Sequence, residues 1–145
     1  MSDPFDLARF TDAQAGAYAR ALAELKAGRK QSHWIWFIFP QIAGLGASAM
    51  NRRYSIGSLE EAVAYLEHPV LGARLRECVD AVNALEGRSA RQVFGADDVK
   101  FRSSLTLFQR AAPDEPRFAD ALAKYFAGEQ DGATLQRLAE TFGGR

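Results

Sequence analysis

The run Trp34-Ile35-Trp36-Phe37-Ile38-Phe39, closed by Pro40, is the segment that most constrains what this chain can fold into. A stretch apolar on every side has to be buried. It is far shorter than the ~20 residues that span a bilayer, so the remainder of the chain must supply the core that covers it. Ser32 can cap a short helix through the run, and Pro40 cannot continue one. A buried strand is the competing reading, because periodicity does not separate the two in so short a run.

The flanking sequence reads as helices that could provide this cover. Thr11 with Gln14 predicts a capping box, followed by a stripe of Tyr18, Leu22 and Leu25 that stops before Gly28. Ser58 with Glu61 predicts a second box, and that helix breaks at His68-Pro69. Pro69 then opens a helix whose inner face is Leu71, Leu75, Cys78, Val82 and Leu85, ending before Gly87. Val93-Phe94 reads as a short turn. Beyond Gly95, Phe101, Leu105 and Phe108 keep helical spacing from Asp97 to Gln109, with Asp97 and Asp98 at the positive end of the dipole. Pro116 opens a helix with Phe118, Leu122 and Tyr125, and Asp131 caps a last one with Leu135, Leu138 and Phe142 before Gly143-Gly144. No alternating strand pattern competes. The expectation is all-α: a compact single domain over 1–145 with roughly seven short helices, a minor strand pair around Trp34 to Phe39 being left open.

Composition excludes several classes of function. The chain is 48% hydrophobic, too apolar to remain disordered. Its 18 basic and 18 acidic side chains cancel, so no long-range field gathers phosphate backbones or anionic lipid, and neither nucleic acid nor a membrane is expected as partner. Cys78 is the one cysteine, which rules out an internal disulfide or a thiolate cage and suits a reducing cytoplasm. Met1 to Phe10 lacks the basic flank and apolar centre of a signal peptide. His33 and His68 stand far apart without carboxylates at ligand spacing, so no metal site is expected, and no cofactor motif is present.

Chemistry-bearing residues fall into two clusters. The first runs from Lys30 to Tyr54. Lys30 and His33 share a helical face at the entry to the aromatic run, and His33 is either an acid, base or ligand contact, or a hydrogen-bonded histidine at a helix start. Trp36 and its neighbours either stack on a flat ligand or pack in the core. Gly44-x-Gly46-x-Ser48 with Arg52 has the ingredients of a phosphate cradle, though the glycines equally suit a tight loop. Gln41 and Tyr54 complete this cluster. The second cluster is Asp98, Lys100, Ser103 and Ser104, within one helical turn beside the Phe101 stripe. In the ordinary reading Asp98 complements the helix dipole and pairs with Arg102. Cys78 lies on an apolar stripe and reads as inert packing.

The strings Asp6-Leu7-Ala8-Arg9-Phe10, Lys30 to Gln41, His68-Pro69-Val70-Leu71-Gly72 and Lys100 to Phe108 resemble a bacterial domain-of-unknown-function family, over nearly the whole chain. Sequences of this kind often carry an automatic calpastatin label. The resemblance implies a mainly helical domain. It implies no protease inhibition, because a calpain inhibitor is a flexible chain of repeats and this sequence is apolar and free of repeats. A fainter likeness, with motifs in a different order, is to the NADAR proteins, small helical domains of ADP-ribose-type N-glycosidic chemistry.

The leading expectation is a site for a nucleotide-like or phosphorylated small molecule between the two clusters. If it hydrolyses that ligand, His33 or Asp98 would handle protons, and Lys100 or Arg52 would steady the anion. The alternative is a non-enzymatic interaction domain, as a homodimer or with another partner, which requires a large exposed apolar patch.

Overall fold

The computed structural model describes residues 3–140, and the chain is all-α. The helices are α1 (Ala8–Ala15), α2 (Tyr18–Lys26), α3 (Ile35–Ile38), α4 (Ala49–Tyr54), α5 (Leu59–Glu67), α6 (Leu71–Asn83), α7 (Ala90–Phe94), α8 (Asp98–Ala111), α9 (Pro116–Phe126) and α10 (Gly132–Leu138), with a 3-10 turn over Gly95–Asp97. Helix α8 is the hub: α5, α9 and α10 pack on it, and α6 bridges α5, α9 and α2.

The aromatic run folds as the single helical turn α3, and no strand forms there. Phe39, fully buried, meets Phe101 of α8 edge-on at 4.9 Å and Phe94 at 5.9 Å, while Phe94 stacks on Phe101 at 4.2 Å. Burying each such phenylalanine contributes about 1.5–3 kcal/mol, so the run anchors α8 as well as being covered by it. The β character of the region is one isolated parallel bridge between Ile42 and Ile56, after the run rather than within it. Through it Ile56 N donates to Gln41 O at 2.7 Å and Ala43 N to Ile56 O at 2.8 Å. This ties the loop after α3 to the end of α4.

Several local expectations need correction. The first helix starts at Ala8, upstream of Thr11, because the Asp3 carboxylate accepts from Leu7 N (2.8 Å) and Ala8 N (2.9 Å). Thr11 Oγ1 bonds back to Ala8 O, and buried Gln14 instead donates to Phe37 O (2.7 Å) and Tyr65 Oη (3.1 Å). The helix also divides between Ala15 and Tyr18. Ser32 caps nothing; its Oγ donates to Glu24 Oε2 at 2.6 Å. Val93-Phe94 belongs to α7, which opens with a reciprocal Ser89–Gln92 capping box. Ser58 and Asp131 cap their helices, accepting from Glu61 N (3.0 Å) and Thr134 N (2.9 Å), and Pro116 begins α9, but the Ser58–Glu61 box does not close: Glu61 Oε1 accepts from Gly57 N (3.0 Å) and Glu61 Oε2 from Arg9. His68 does more than mark a break: its Nδ1 accepts from Val70 N (3.1 Å) and Leu71 N (3.2 Å) at the start of α6. Phe142, Gly143 and Gly144 lie outside the described residues.

Two side chains fix the segments that matter below. Arg9 donates to Arg53 O (2.8 Å), Ser55 O (2.7 Å) and Glu61 Oε2 (2.7 Å), and also to Phe5 O and Asp6 O, so one guanidinium clamps the start of the chain to the α4–α5 junction. Glu24 accepts from Gln31 N (2.8 Å), Ser32 N (3.0 Å), Ser32 Oγ and Trp34 Nε1 (2.9 Å), which sets the entry to α3. Burial would raise the Glu24 carboxyl, yet these donors outweigh it and lower it to about 2.

Candidate functional site

A cleft of about 550 Å³ opens between the 41–51 segment on one side and the first turns of α8 on the other, with the start of α10 at its edge. Its size is within the range of small-molecule sites. Trp36, Gln41, Gly46 and Ser48 from the first sequence cluster line it together with Lys100 and Ser103 from the second. The two clusters, some 50 positions apart in the chain, therefore share one concavity.

The local reasons for this arrangement are specific. Ser48 caps α4 by accepting from Asn51 N (3.1 Å), so Asn51 falls on the first turn of that helix. Asn51 lies directly over Gly46, where a Cβ would come within 2.7 Å of Asn51 Nδ2. At Gly44 the backbone takes φ +95°, and a Cβ would meet the Arg137 guanidinium at 2.5 Å; Arg137 Nε donates to Ala43 O at 3.1 Å. Both glycines therefore serve close approach. Gln41 follows Pro40 and is held through its backbone by the Ile42–Ile56 bridge.

Gln41 is 7% exposed and Asn51 8%, and among the described residues neither side-chain amide has a hydrogen-bond partner in the protein. Their amide atoms keep contact with the water in the cleft, so a ligand that enters exchanges that hydration for its own hydrogen bonds. Two such amides lining one cleft beside the half-buried Trp36 ring provide donors and acceptors for something that enters it.

Charge at the α8 side is set by Asp97. Lys30 Nζ is 2.9 Å from Asp97 Oδ2, and Lys100 Nζ is 3.1 Å from Oδ1. Burial would raise the Asp97 carboxyl, but the two ammonium groups outweigh this and hold it below the usual carboxylate range. One carboxylate shared by two cations leaves Lys100, at the cleft, with positive charge to offer an anion.

The other sequence candidates lie around this cleft rather than on it. Tyr54 lines a smaller hollow beside it, shared with Trp36, Gln41 and Asn51. Lys30 sits behind Asp97, over the Trp34 ring at 5.1 Å. Gly44 supports the loop from behind, and Arg52 is exposed on α4. His33 is exposed ahead of α3, and Asp98 is half-buried at the start of α8; neither lines the cleft. Asp98 does not pair with Arg102, whose guanidinium lies 3.8 Å from both Glu129 and Asp131. Ser104 faces the core, its hydroxyl buried and without a partner among the described residues. Sequence reasoning missed Asn51 and Asp131 as lining residues. Asn51 had a signal, being a poor helix former placed inside a helix three residues after its cap. Asp131 is occupied at Oδ2 by Thr134 N and Oγ1, which makes it a cap that also borders the cleft.

Elsewhere, Cys78 is buried, and burial pushes its thiol up to about 12. Among the described residues no helix is long and apolar enough to cross a membrane, and no three His, Cys, Asp or Glu side chains gather as a metal-binding group.

The family profile described as a protein of unknown function, DUF1810, matches residues 4–138. This chain belongs to that family. The DUF1810 fold is also seen in the crystal structure, at 1.38 Å, of a conserved hypothetical protein from Mycobacterium tuberculosis, which is 53% identical to this chain. The match has a TM-score of 0.93 and covers 94% of this chain and 99% of that one. No curated protein matches. The family expectation from the sequence is thus met, and the calpastatin label appears in neither match.

Proposed function

We propose that this DUF1810 protein binds a small, nucleotide-like phosphorylated ligand in the cleft between α4 and α8. The observation that carries the reading is that the amides of Gln41 and Asn51, on side chains that are mostly buried and without a protein partner among the described residues, open onto the cleft that Lys100 also lines. Trp36 supplies an aromatic face, Ser48 and Ser103 supply hydroxyls, and Lys100 supplies the charge that a phosphate requires. The cleft borders no obvious acid–base pair: its one lining carboxylate among the described residues, Asp131, is engaged as a cap, and His33 and Asp98 stand outside. The proposal is therefore of binding and includes no hydrolytic step. The interaction-domain reading has less support, since among the described residues the exposed large apolar side chains are Val70 and Val99, on different helices' ends. A buried free thiol suits a reducing compartment such as the cytoplasm.

Thermal-shift measurements with nucleoside monophosphates, ADP-ribose and sugar phosphates test this. A ligand at ~100 times its dissociation constant stabilises the fold by about 2.7 kcal/mol, a rise in Tm of about 5–10 °C for a chain of this length. Lys100→Ala should reduce that rise. A flat response to the whole panel refutes the proposal.

A further inference from the structure

The cleft is chemically uneven, and the unevenness bears on what kind of ligand it selects. At one end are groups without formal charge: the Trp36 ring and the primary amides of Gln41 and Asn51, each of which presents a carbonyl acceptor beside an NH₂ donor. At the other is Lys100, whose ammonium shares Asp97 with Lys30. A simple sugar phosphate would use the cationic end and leave both amides unmatched. An aromatic phosphate without polar edge atoms would use the ring and the cation, and would strip water from both amides without replacing its hydrogen bonds.

A planar heterocycle bearing donors and acceptors around its edge offers partners to the ring and to the amides together. Its face lies against Trp36 and its edge meets an amide in two antiparallel hydrogen bonds, the geometry by which Asn and Gln read adenine edges in nucleic acids. The amides themselves need no rearrangement of the backbone to be held in place. Asn51 is fixed on the first turn of α4 by the Ser48 cap and lies against Gly46, and Gln41 is fixed by the Ile42–Ile56 bridge. Sites that are built to hydrogen-bond a polar edge reject analogues lacking it far more strongly than apolar pockets reject a missing methylene.

We infer that Gln41 and Asn51 are specificity-determining residues that read the polar edge of a nucleobase stacked on Trp36, while Lys100 holds the phosphate, so that the ligand class is nucleoside monophosphate rather than sugar phosphate. This rests on the binding reading given above and goes beyond it by dividing the ligand between the two ends of the cleft.

Isothermal titration of the full chain with the four ribonucleoside monophosphates and with ribose 5-phosphate tests the division. At least one nucleotide should bind tenfold or more tightly than ribose 5-phosphate. Gln41→Met and Asn51→Leu, which keep side-chain volume and remove the polar groups, should each weaken that nucleotide at least tenfold and change ribose 5-phosphate less than twofold. Lys100→Ala should weaken both ligands alike. The wild-type protein gives an independent readout that needs no variant to fold: the side-chain NH₂ resonances of Gln41 and Asn51 should move on adding the nucleotide and stay in place on adding ribose 5-phosphate. If nucleotides and ribose 5-phosphate bind equally, or the nucleotide binds without moving either amide, base reading is overturned while phosphate binding in the cleft survives. If none of these ligands binds, the binding proposal falls and the inference falls with it.

Discussion

Replacing Glu24 with glutamine changes little in shape and removes one charge from a carboxylate that takes four hydrogen bonds, from Gln31 N, Ser32 N, Ser32 Oγ and Trp34 Nε1. The variant keeps Oε1 for three of these donors, and Ser32 Oγ can turn to accept from the new amide. What is lost is charge assistance. Hydrogen bonds to a charged group contribute about 1.5–3 kcal/mol against about 0.5–1.5 kcal/mol for neutral ones. The carboxylate is half-buried and screened by solvent, so the expected net loss is about 1–2 kcal/mol at pH 7. The sign of the pH dependence follows from its lowered pKa, about 2 against an ordinary 4.5. The unfolded chain takes up the proton first as pH falls, so the stabilisation is complete above pH 4.5 and is lost progressively from there toward pH 2. Urea denaturation of wild type and Glu24→Gln at pH 7, 5 and 3 therefore gives a stability difference of about 1–2 kcal/mol that narrows below pH 4.5. Because every other acidic group is common to both proteins, a difference that stays constant from pH 7 to pH 3 would refute the account of Glu24.

Gly72→Ala tests the α5–α6 corner, where an added Cβ would stand 2.0 Å from Leu66 O, a backbone atom that cannot swing aside. Alanine normally favours a helix over glycine by about 1 kcal/mol, so a net loss of about 2 kcal/mol or more in urea denaturation indicates the clash, and unchanged stability would show that the corner yields. Cys78, with its thiol pushed up to about 12 by burial, should resist iodoacetamide at pH 8 in the native protein and react promptly in urea; rapid labelling of the native protein would contradict its burial.

Helix starts were readable where the deciding contacts are local: Ser58, Pro116 and Asp131 lie beside the helices they start. The first helix misled because its cap, Asp3, reaches Leu7 and Ala8 from outside the usual capping spacing. Gln14, the supposed partner of Thr11, is committed to Phe37 and Tyr65, contacts no short-range pattern encodes. The two polar clusters were visible as clusters, and their meeting in one cleft was not, since it depends on how α4 and α8 pack around the aromatic run. Individual directions were beyond the sequence for the same reason. Ser103 and Ser104 are adjacent, yet one lines the cleft and the other faces the core. Lys30 and Lys100 look alike as cations, but Asp97 holds one behind it and leaves the other at the opening.

The hydrogen bond from Arg137 Nε to Ala43 O joins positions 94 residues apart and holds α10 against the glycine loop. With the clamp at Arg9, which spans 46 residues to Ser55 O and 52 to Glu61, it means that the cleft walls are secured by both halves of the sequence at once. Binding affinity would therefore report on the integrity of the entire fold, and a substitution remote from the cleft that favours opening of α10 would weaken the ligand without touching it.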